Sequence, residues 1–423
     1  MTHFAVEIRR IKASSLARNA GWMLVGQGIN LILQAGYFLL LARLLGVIQY
    51  GIFVGALAFV TLVTPFSALG SGLLFMRYVG SGAGAFREYW GNILLSAFGV
   101  GLALTVLLRL LAPHLLNPAS ASITLMVAIG ECIFRQLVIS IGQVFQAYEQ
   151  LRMTAIIGLL ISLFRLLSIV IMAVVLHHAT AWQWAALSLA VSILAAVVAT
   201  TLITARFGLP RLSLSLFASR LGEGLNFSFA SSTQSIYNDV DKTMLSHYGM
   251  NMANGIYTMA YRIVDVATIP ISSLDSAALP RFFRQSRDGS SSVVRLSVQL
   301  AGRAALLGII SAICLFAAAP LIPHIVGPGF EDSVRAVRWL CLIPVFRGMH
   351  QITGSAITGV GLQRFRTVAQ FSASAFNFGL NLWLIPRYNW EGAAWASLAT
   401  DGALGVTNSL IAWRLPALVA REK

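Results

Sequence analysis

Charged residues are scarce in this chain. They make up 11% of its 423 residues, whereas about a quarter is usual for a soluble domain. Apolar residues make up 57%. Because about 20 apolar residues cross a membrane as one helix, the chain has room for about a dozen spans with short connections. No stretch is polar and long enough for a separate aqueous domain, which excludes an enzyme that carries a soluble catalytic domain.

Cysteine and acidic residues are also few. Cys132, Cys314 and Cys341 have neither paired nor metal-type spacing, so the sequence indicates no disulfide framework and no metal site. Asp and Glu number 15 against 30 Lys and Arg. In a membrane protein this excess first reflects basic loops on the cytoplasmic side, so we predict no nucleic-acid partner from it.

Apolar stretches between charged or Gly- and Pro-rich breaks predict twelve transmembrane helices. They begin near Leu16, Val47, Trp90, Ser122, Thr154, Trp182, Glu223, Ala253, Ser297, Ser333, Thr367 and Gly392. The seventh and eighth carry several charges, so we expect them to line a cavity rather than face lipid. With the N-terminus inside, twenty basic residues lie on the cytoplasmic side and five on the other. Both termini are therefore predicted to be cytoplasmic, and the basic N-terminal segment is expected to be retained.

The sequence contains an internal repeat. A shift of 204 residues aligns the second predicted span with the eighth, including Gly51 with Gly255. A shift of 212 aligns the fourth with the tenth, including Arg135 with Arg347. Both shifts pair each helix with the sixth helix after it. Since six is even, the two halves enter the membrane in the same direction.

The predicted fold is therefore an all-α integral membrane protein with about 12 transmembrane helices in two six-helix lobes, related by a pseudo-twofold axis along the membrane normal. We assign residues 1–205 to an N-lobe with spans one to six, 206–222 to a cytoplasmic linker, and 223–423 to a C-lobe with spans seven to twelve. Pro65 and Pro270 fall in paired helices. Each removes a backbone hydrogen bond, which makes both candidate hinges.

Two short stretches carry a family resemblance. They are Arg43-Leu44-Leu45-Gly46 followed by Tyr50-Gly51-Ile52-Phe53 and Ala56, and Asp241-Lys242-Thr243-Met244-Leu245 followed by Gly255-Ile256-Tyr257 and Ala260. With the length and the two six-helix halves, they resemble the polysaccharide-biosynthesis flippases (Wzx-type O-antigen and exopolysaccharide transporters) of the multidrug/oligosaccharidyl-lipid/polysaccharide exporter superfamily.

The resemblance implies a transporter, not an enzyme, in the bacterial cytoplasmic (inner) membrane. It would move an undecaprenyl-diphosphate-linked oligosaccharide from the inner to the outer leaflet by alternating access, for O-antigen, lipopolysaccharide or exopolysaccharide assembly. The expected partners are this lipid-linked oligosaccharide and membrane lipid, with a polysaccharide polymerase and a chain-length regulator as further candidates.

A lipid-linked diphosphate requires cations at membrane depth, where an isolated charge is costly. We predict that four arginines bind it: Arg347, Arg135, Arg262 and Arg165. Arg135 and Arg262 each have an acidic residue three or four positions away, so structural ion pairs are the alternative there. Arg347 and Arg165 have no such neighbour on their own helices, which makes them the stronger candidates for an anion site.

A second set of polar residues is predicted to couple transport to Na⁺ or H⁺. Its members are Asp239, Asp241, Asp401, Asn377 and Asn381. The asparagines share a helical face, and their oxygens could join an aspartate around a small hard cation. A proton-titrating Asp401 fits equally well, and ion pairing to Lys242 is the structural alternative. No organic cofactor is predicted, and no phosphate-binding loop for ATP is present.

Three other functions are weighed against the flippase. A drug/cation antiporter of the MATE type would prefer a cavity rich in carboxylates and aromatics, because its substrates are cationic. A membrane polysaccharide polymerase would be expected to carry a long outer loop, and no predicted outer loop exceeds about 15 residues. A major-facilitator carrier would show an acidic-basic signature that is absent from Arg77-Tyr78-Val79-Gly80-Ser81-Gly82.

Overall fold

A computed structural model describes residues 2–82, 84–176 and 178–422, with side chains described except at 1–25, 230, 233–234 and 421–422. The described residues form helices and no strand. The helices are α1 Thr2–Thr61, α2 Thr64–Ser67, α3 Ser71–Tyr78, α4 Phe86–Leu95, α5 Gly101–Leu115, α6 Pro118–Ala128, α7 Gln136–Ala147, α8 Leu151–Val175, α9 Ala181–Phe207, α10 Leu214–His247, α11 Asn251–Gln285, α12 Ser290–Ala318, α13 Ile322–Val326, α14 Asp332–Leu340, α15 Ile343–Gly359, α16 Gln363–Trp413 and α17 Leu415–Glu422. The basic side chains at the two ends that helped to orient the chain, among them Arg9 and Arg421, lie outside the described side chains.

Two π-helical segments continue neighbouring helices without a break. Ser96–Val100 joins α4 to α5, and Ile129–Arg135 joins α6 to α7. Short 3₁₀ turns cover Ser286–Asp288, Ala319–Leu321 and Pro328–Phe330. All twelve predicted span starts lie within helices, so the sequence located the helical segments correctly.

Within the described residues, seven helical stretches are long and apolar enough to cross a membrane. They are Gly26–Thr61, Phe86–Leu115, Pro118–Ala147, Leu151–Val175, Ala181–Phe207, Asn251–Asp288 and Ser290–Val326. The remaining predicted spans fall short of this measure in part because they are more polar, as in α10, which carries Asp239, Asp241 and Lys242. Their polar side chains form the clusters described below.

The two longest helices are each divided by one residue with a left-handed backbone. Gly46 in α1 has φ 71° and ψ 167°, and Asn389 in α16 has φ 58° and ψ −138°. Glycine, and to a lesser degree asparagine, tolerates positive φ. These residues lie within three positions of the predicted starts of the second and twelfth spans, so each long helix is kinked close to a predicted span boundary.

The chain forms two compact units. Unit 1 comprises residues 1–45 and 56–235, and unit 2 comprises residues 46–55 and 236–423. In unit 1, the fully buried Phe75, Trp90 and Phe145 lie in one apolar core built from α3, α4, α7, α8 and α9. In unit 2, Phe282 and Ile352 lie in a core built from α11, α12, α15 and α17. The division into lobes at residues 206–222 stays a prediction.

A close helix crossing in unit 2 repeats itself under the 204-residue shift. A Cβ on Gly51 would lie 2.7 Å from the carbonyl carbon of Asn251, and a Cβ on Gly255 would lie 3.1 Å from that of Val47. Val47 aligns with Asn251 and Gly51 with Gly255, so the two contacts are images of each other. Small residues let helix backbones approach closely in membrane proteins, which gives a physical reason for the glycines in the two repeated stretches.

The predicted linker is partly helical and is held to α3 in unit 1. Arg77 Nη1 lies 2.5 Å from Glu223 Oε1, and the Tyr78 hydroxyl donates to Glu223 Oε2 at 2.9 Å. Arg220 donates to the Tyr78 hydroxyl at 2.8 Å, with its guanidinium 3.9 Å from the ring centroid. The hydrogen bond to the Glu223 carboxylate raises the pKa of the Tyr78 phenol. These contacts fix the start of α10 against α3.

Candidate functional site

Arg347 lies at the centre of a buried polar group in unit 2. It donates from Nη1 to Asp265 Oδ1 at 2.7 Å and from Nη2 to the Tyr261 hydroxyl at 2.7 Å. Its Nε lies 3.9 Å from Asp401 Oδ2, and its side chain is 12% exposed. Tyr261 and Asp265 are four residues apart on α11 and therefore share a face. Two carboxylates and a phenol from neighbouring helices thus surround the guanidinium.

Asp401 on α16 completes this group and is fully buried. Tyr237 on α10 donates a hydrogen bond to its Oδ1, and His350 Nε2 lies 3.5 Å from the same oxygen. We call Tyr237, Tyr261, Asp265, Arg347, His350 and Asp401 the Asp401 network. Burying a carboxylate is tolerated only with such partners, so four helices converge on one anion.

A second charged group, the Lys242 cluster, comprises Asp239, Asp241, Lys242, Tyr257 and Ser397. Lys242 Nζ lies 3.1 Å from Asp239 Oδ1 and 3.6 Å from Asp241 Oδ1. Tyr257 donates to Asp241 Oδ2, and its hydroxyl lies 2.9 Å from Ser397 Oγ. The predicted pairing of Lys242 with Asp239 is therefore present. Two carboxylates share one ammonium group, so the cluster is acidic.

Tyr261 links these two groups. The ammonium of Lys242 lies 4.9 Å from its ring centroid, and the guanidinium of Arg347 lies 5.2 Å from the same centroid. Arg262, the next residue on α11, is half-buried, and its charge acts on that of Lys242. The spacing of Arg262 and Asp265 predicts an ion pair between them. In the structure, Asp265 accepts a hydrogen bond from Arg347.

The asparagines predicted for ion coupling form a ladder between the two halves of α16. Asn381 Nδ2 donates to Asn377 Oδ1 at 2.8 Å, and Asn377 Nδ2 donates to Thr400 Oγ1 at 3.1 Å. All three residues are buried. Within the described residues, Asn381 Oδ1 has no hydrogen-bond partner. This ladder ends one residue before Asp401, whereas Asp239 and Asp241 contact Lys242.

In the described part of the chain, no group of three or more His, Cys, Asp or Glu side chains is arranged to hold a metal ion. The oxygens of the asparagine ladder and of Asp401, like the carboxylates of the Lys242 cluster, match a small hard cation in chemistry. The predicted coupling role of these residues stays a prediction.

Glu131 in unit 1 is buried between two arginines. Arg135 Nη1 donates to Glu131 Oε2 at 2.8 Å, and Arg165 on α8 donates to Glu131 Oε1. Glu131 is 4% exposed, Arg165 12% and Arg135 39%. We call these three residues the Glu131 triad. One carboxylate balances two guanidiniums, so the triad has a net positive charge, and Arg135 carries most of its exposed surface.

Two members of the Glu131 triad lie on the π-helical segment Ile129–Arg135. A π-helical turn inserts an extra residue into a helix and often occurs at functional positions. Glu131 and Arg135 both belong to this segment, and their predicted i, i+4 pairing is present. The pairing with Arg165 comes from a different helix and was not predicted.

The two candidate hinge prolines have different surroundings. Pro65 lies at the start of α2, inside an interruption between Thr61 and Ser71 where Leu69 has φ 43° and Gly70 has φ 55°. Pro270 lies inside α11, which continues through it. The helix is therefore interrupted near Pro65 only, and the two prolines are not structural equivalents.

The sequence reasoning treated Arg165 and Arg347 as cations without acidic neighbours. That holds for their own helices, but Glu131, Asp265 and Asp401 reach them from other helices. The reasoning also missed the tyrosines at 237, 257 and 261. A usable signal was present, since Tyr257, Tyr261 and Asp265 recur every fourth residue and so line one face of a helix.

Comparison with known proteins supports this architecture. The sequence matches the family model described as polysaccharide biosynthesis protein over residues 16–286, more than half of the chain. No curated protein matches it significantly.

Several solved structures share its fold. A multidrug resistance MATE family transporter of the MOP superfamily, in an inward-facing conformation, has a TM-score of 0.74 at 12% identity, covering 93% of this chain and 95% of that one. A MOP superfamily transporter from Pyrococcus furiosus, described as having a binding pocket of reverse polarity, has a TM-score of 0.62 at 13% identity, covering 96% of both chains. The MATE multidrug transporter DinF-BH has a TM-score of 0.61 at 15% identity, covering 95% of both chains. The predicted all-α, multi-span fold class is confirmed: the chain belongs to the polysaccharide biosynthesis protein family and has the fold of the MATE transporters.

Proposed function

We propose that the protein is a flippase. It translocates an undecaprenyl-diphosphate-linked oligosaccharide across the bacterial cytoplasmic membrane by alternating access, for O-antigen or exopolysaccharide assembly. The family and the MATE-type fold support a membrane transporter acting in polysaccharide biosynthesis. In this proposal both termini are cytoplasmic, and a polymerase and a chain-length regulator receive the product on the outer side.

The observation that carries the anionic substrate is the Glu131 triad. Its two guanidiniums exceed its one carboxylate, and Arg135 is 39% exposed. Arginine offers a planar fork of donors that matches phosphate oxygens and stays charged in apolar surroundings. A diphosphate can accept from Arg135 while Glu131 keeps Arg165 paired. We therefore rank Arg135 first among the four predicted arginines, with Arg165 as its buried support.

Arg347 and Arg262 stay predicted members of the anion site, in a more acidic setting. The Asp401 network and the Lys242 cluster together contain four carboxylates against Arg347 and Lys242, with Arg262 close by. Such an excess of negative charge attracts cations. It supports coupling to Na⁺ or H⁺ through Asp401, Asp239 or Asp241, because burial and solvent access change the affinity of a carboxylate for a cation.

Flipping of a fluorescent undecaprenyl-diphosphate-linked sugar by the purified protein in proteoliposomes tests the anion site. We expect Arg135→Ala to reduce the flipping rate at least about tenfold, the value of one charge-assisted hydrogen bond, and Arg135→Lys to retain part of the rate. Arg109→Ala is the matched control, since Arg109 is exposed on α5. A wild-type rate for Arg135→Ala would contradict the proposal.

Imposed ion gradients in the same vesicles test the coupling. We expect the wild-type rate to respond to a Na⁺ or a H⁺ gradient, and Asp401→Asn to lose that response. Asp288→Asn, at an exposed position, serves as the control. Rates that ignore both gradients in all three proteins would leave a carrier driven only by consumption of its substrate.

The acidic excess of unit 2 also favours a second candidate, a drug/cation antiporter. Such a protein would export a cationic dye from the same vesicles in exchange for H⁺ or Na⁺, and Asp401→Asn would stop it. Dye export without flipping of the lipid-linked sugar would replace the flippase proposal with this one.

A further inference from the structure

Unit 1 contains an uncharged cavity of about 220 Å³. Its polar wall residues are Ser71, Gln136, Ser140, Gln143, Ser228, Ser231 and Ser235, and apolar side chains such as Leu73, Ile139 and Phe227 complete the wall. We call it the serine cavity. Every residue that lines it belongs to unit 1, and no charged residue is among the described residues of its wall. The cavity therefore offers hydroxyl and amide groups, which both donate and accept hydrogen bonds, beside apolar surface.

The serine cavity is built on the interruption between α1 and α3. Leu69 and Gly70 adopt consecutive left-handed conformations, which end α2 and start α3 at Ser71. Non-helical backbone at membrane depth is tolerated only where it is buried in protein or lines a cavity. A Cβ on Gly72 would lie 3.2 Å from Ser140 Cα, so glycine lets the start of α3 approach α7.

Two partly exposed polar side chains line this cavity. Gln143 on α7 and Ser235 on α10 both belong to its wall and are half-buried. Ser71 and Ser228 are each only 1% exposed, so their hydroxyls lie behind the cavity surface. A ligand with its own hydroxyls can therefore form hydrogen bonds with the amide of Gln143 and the hydroxyl of Ser235.

The position of the cavity relates it to the Glu131 triad. Gln136, Ile139, Ser140 and Gln143 on α7 line the cavity, and Arg135 precedes Ile139 by one helical turn on the same face. At about 220 Å³, the cavity is far larger than a single water needs and can admit one sugar ring. A cationic group and a neutral pocket of sugar size thus follow each other along one helix.

We propose that the serine cavity binds one neutral sugar residue of the lipid-linked substrate while the Glu131 triad holds the diphosphate beside it. This inference rests on the proposed flippase function. It selects uncharged hexoses and N-acetylated hexosamines over uronic acids, because a buried carboxylate in this cavity would have no cation to pair with. Gln143 and Ser235 would supply two of the hydrogen bonds to the sugar.

Ligand binding to the purified full-length protein in nanodiscs tests the sugar site. The probes are undecaprenyl diphosphate, the same lipid carrying N-acetylglucosamine, the same lipid carrying glucuronic acid, and free N-acetylglucosamine. We expect the N-acetylglucosamine lipid to bind about tenfold more tightly than the bare lipid, the value of two neutral hydrogen bonds. The glucuronic acid lipid should gain nothing.

The double variant Gln143→Ala/Ser235→Ala should lose this tenfold difference and keep the affinity for the bare lipid. Ser192→Ala is the matched control: Ser192 is fully buried in unit 1, donates to the Ser188 carbonyl at 2.9 Å and does not line the cavity. It should behave as wild type. Retention of the difference by the double variant would overturn the assignment of the cavity.

The remaining outcomes separate the two proposals. Equal affinity for the bare and the glycosylated lipid, or tighter binding of the glucuronic acid lipid, would overturn the sugar site and leave the flippase standing. Free N-acetylglucosamine binding as tightly as the lipid-linked sugar would assign the cavity to a free sugar and overturn the proposal. Failure of all three lipids to bind would reject the sugar site and the flippase together.

Discussion

The two units bury charge in opposite senses. In unit 1, one carboxylate of the Glu131 triad faces two guanidiniums, so the net charge of the triad is positive. In unit 2, the carboxylates outnumber the cations that reach them. An isolated buried charge is too costly to persist, so the buried charges of each unit are paired. The charge that remains after pairing gives each buried group its net charge. In the proposed mechanism this difference makes the Glu131 triad of unit 1 the first site for the diphosphate and unit 2 the site of cation coupling, with Arg347 and Arg262 as further predicted contacts of the diphosphate.

The units also differ in backbone. The second predicted span is interrupted near Pro65, whereas its repeat partner α11 runs through Pro270. The interruption in unit 1 creates a neutral cavity, and the continuous helix in unit 2 presents Tyr257, Tyr261 and Asp265 along one face. The same sequence pattern thus gives a cavity in one repeat and a row of polar side chains on one helix face in the other.

The largest effect is expected from removing the central cation of unit 2. Arg347→Ala leaves Asp265 and Asp401 without their guanidinium, and we expect a loss of about 3–5 kcal/mol in the free energy of unfolding, as for other broken buried pairs. SDS titration in mixed micelles measures it. Arg335→Ala is the control, because its pair with Glu391 is 65% exposed on the arginine side and should change stability by less than about 1 kcal/mol.

A loss for Arg347→Ala no larger than that of the control would mean that the Asp401 network does not support the fold. The comparison between the units would then rest on unit 1 alone.

The next effect separates the members of the Glu131 triad. Glu131→Gln leaves two guanidiniums facing each other, one of them buried, and should cost about 3 kcal/mol. Arg135→Ala leaves the Arg165–Glu131 pair intact and should cost less than about 1 kcal/mol, while reducing flipping. The same SDS titration compares both variants, and equal losses would contradict a division into a structural pair and a substrate-facing arginine.

A medium effect is expected at the helix crossing in unit 2. Gly51→Ala and Gly255→Ala each place a methyl group against the opposite backbone, and we expect each to cost about 1–3 kcal/mol through overpacking. Gly158→Ala on α8 is the control, because a Cβ there meets nothing within 4 Å and alanine favours the helix by up to about 1 kcal/mol. Wild-type stability in both crossing variants would contradict the close contact.

The smallest effect concerns the two prolines. Pro270→Ala should stabilise α11 by about 1 kcal/mol, part of the ~3 kcal/mol that proline costs in a helix interior. Pro65→Ala should change stability by less than about 0.5 kcal/mol, because Pro65 is the second residue of α2 and proline is tolerated in the first turn of a helix. Thermal unfolding of the two variants side by side checks the difference. The opposite order would show that the interruption depends on Pro65.

Much of the fold could be predicted from apolar length and from residues with special backbone freedom. The break at Gly46 coincides with the predicted start at Val47, because apolar periodicity and a permissive glycine indicate the same boundary. The interruption near Pro65 could not be separated from the continuous helix at Pro270, because proline is compatible with both. The helix is interrupted where Leu69 adopts a left-handed conformation, and the identity of a leucine does not predict that conformation.

Less of the candidate site could be predicted. Spacing along one helix found the pairs of Glu131 with Arg135 and of Asp239 with Lys242, because both partners lie on one face. It could not find the partners of Arg165 and Arg347, which lie on other helices. It also missed the serine cavity, since serines on α3, α7 and α10 come together only through the tertiary fold.

The crossing of Gly51 and Gly255 has a consequence for how the protein can change. Gly51 packs against the carbonyl of Asn251, and Gly255 packs against the carbonyl of Val47. In each case the carbonyl belongs to the residue four positions before the other glycine. Two identical chains make this kind of reciprocal contact across a twofold axis. A half-length ancestor pairing with its own copy would make it from a single glycine codon. In the present chain the two glycines have separate codons, yet neither helix can gain bulk unless the other moves away. We therefore expect the two positions to tolerate substitution only together in a library that randomises both.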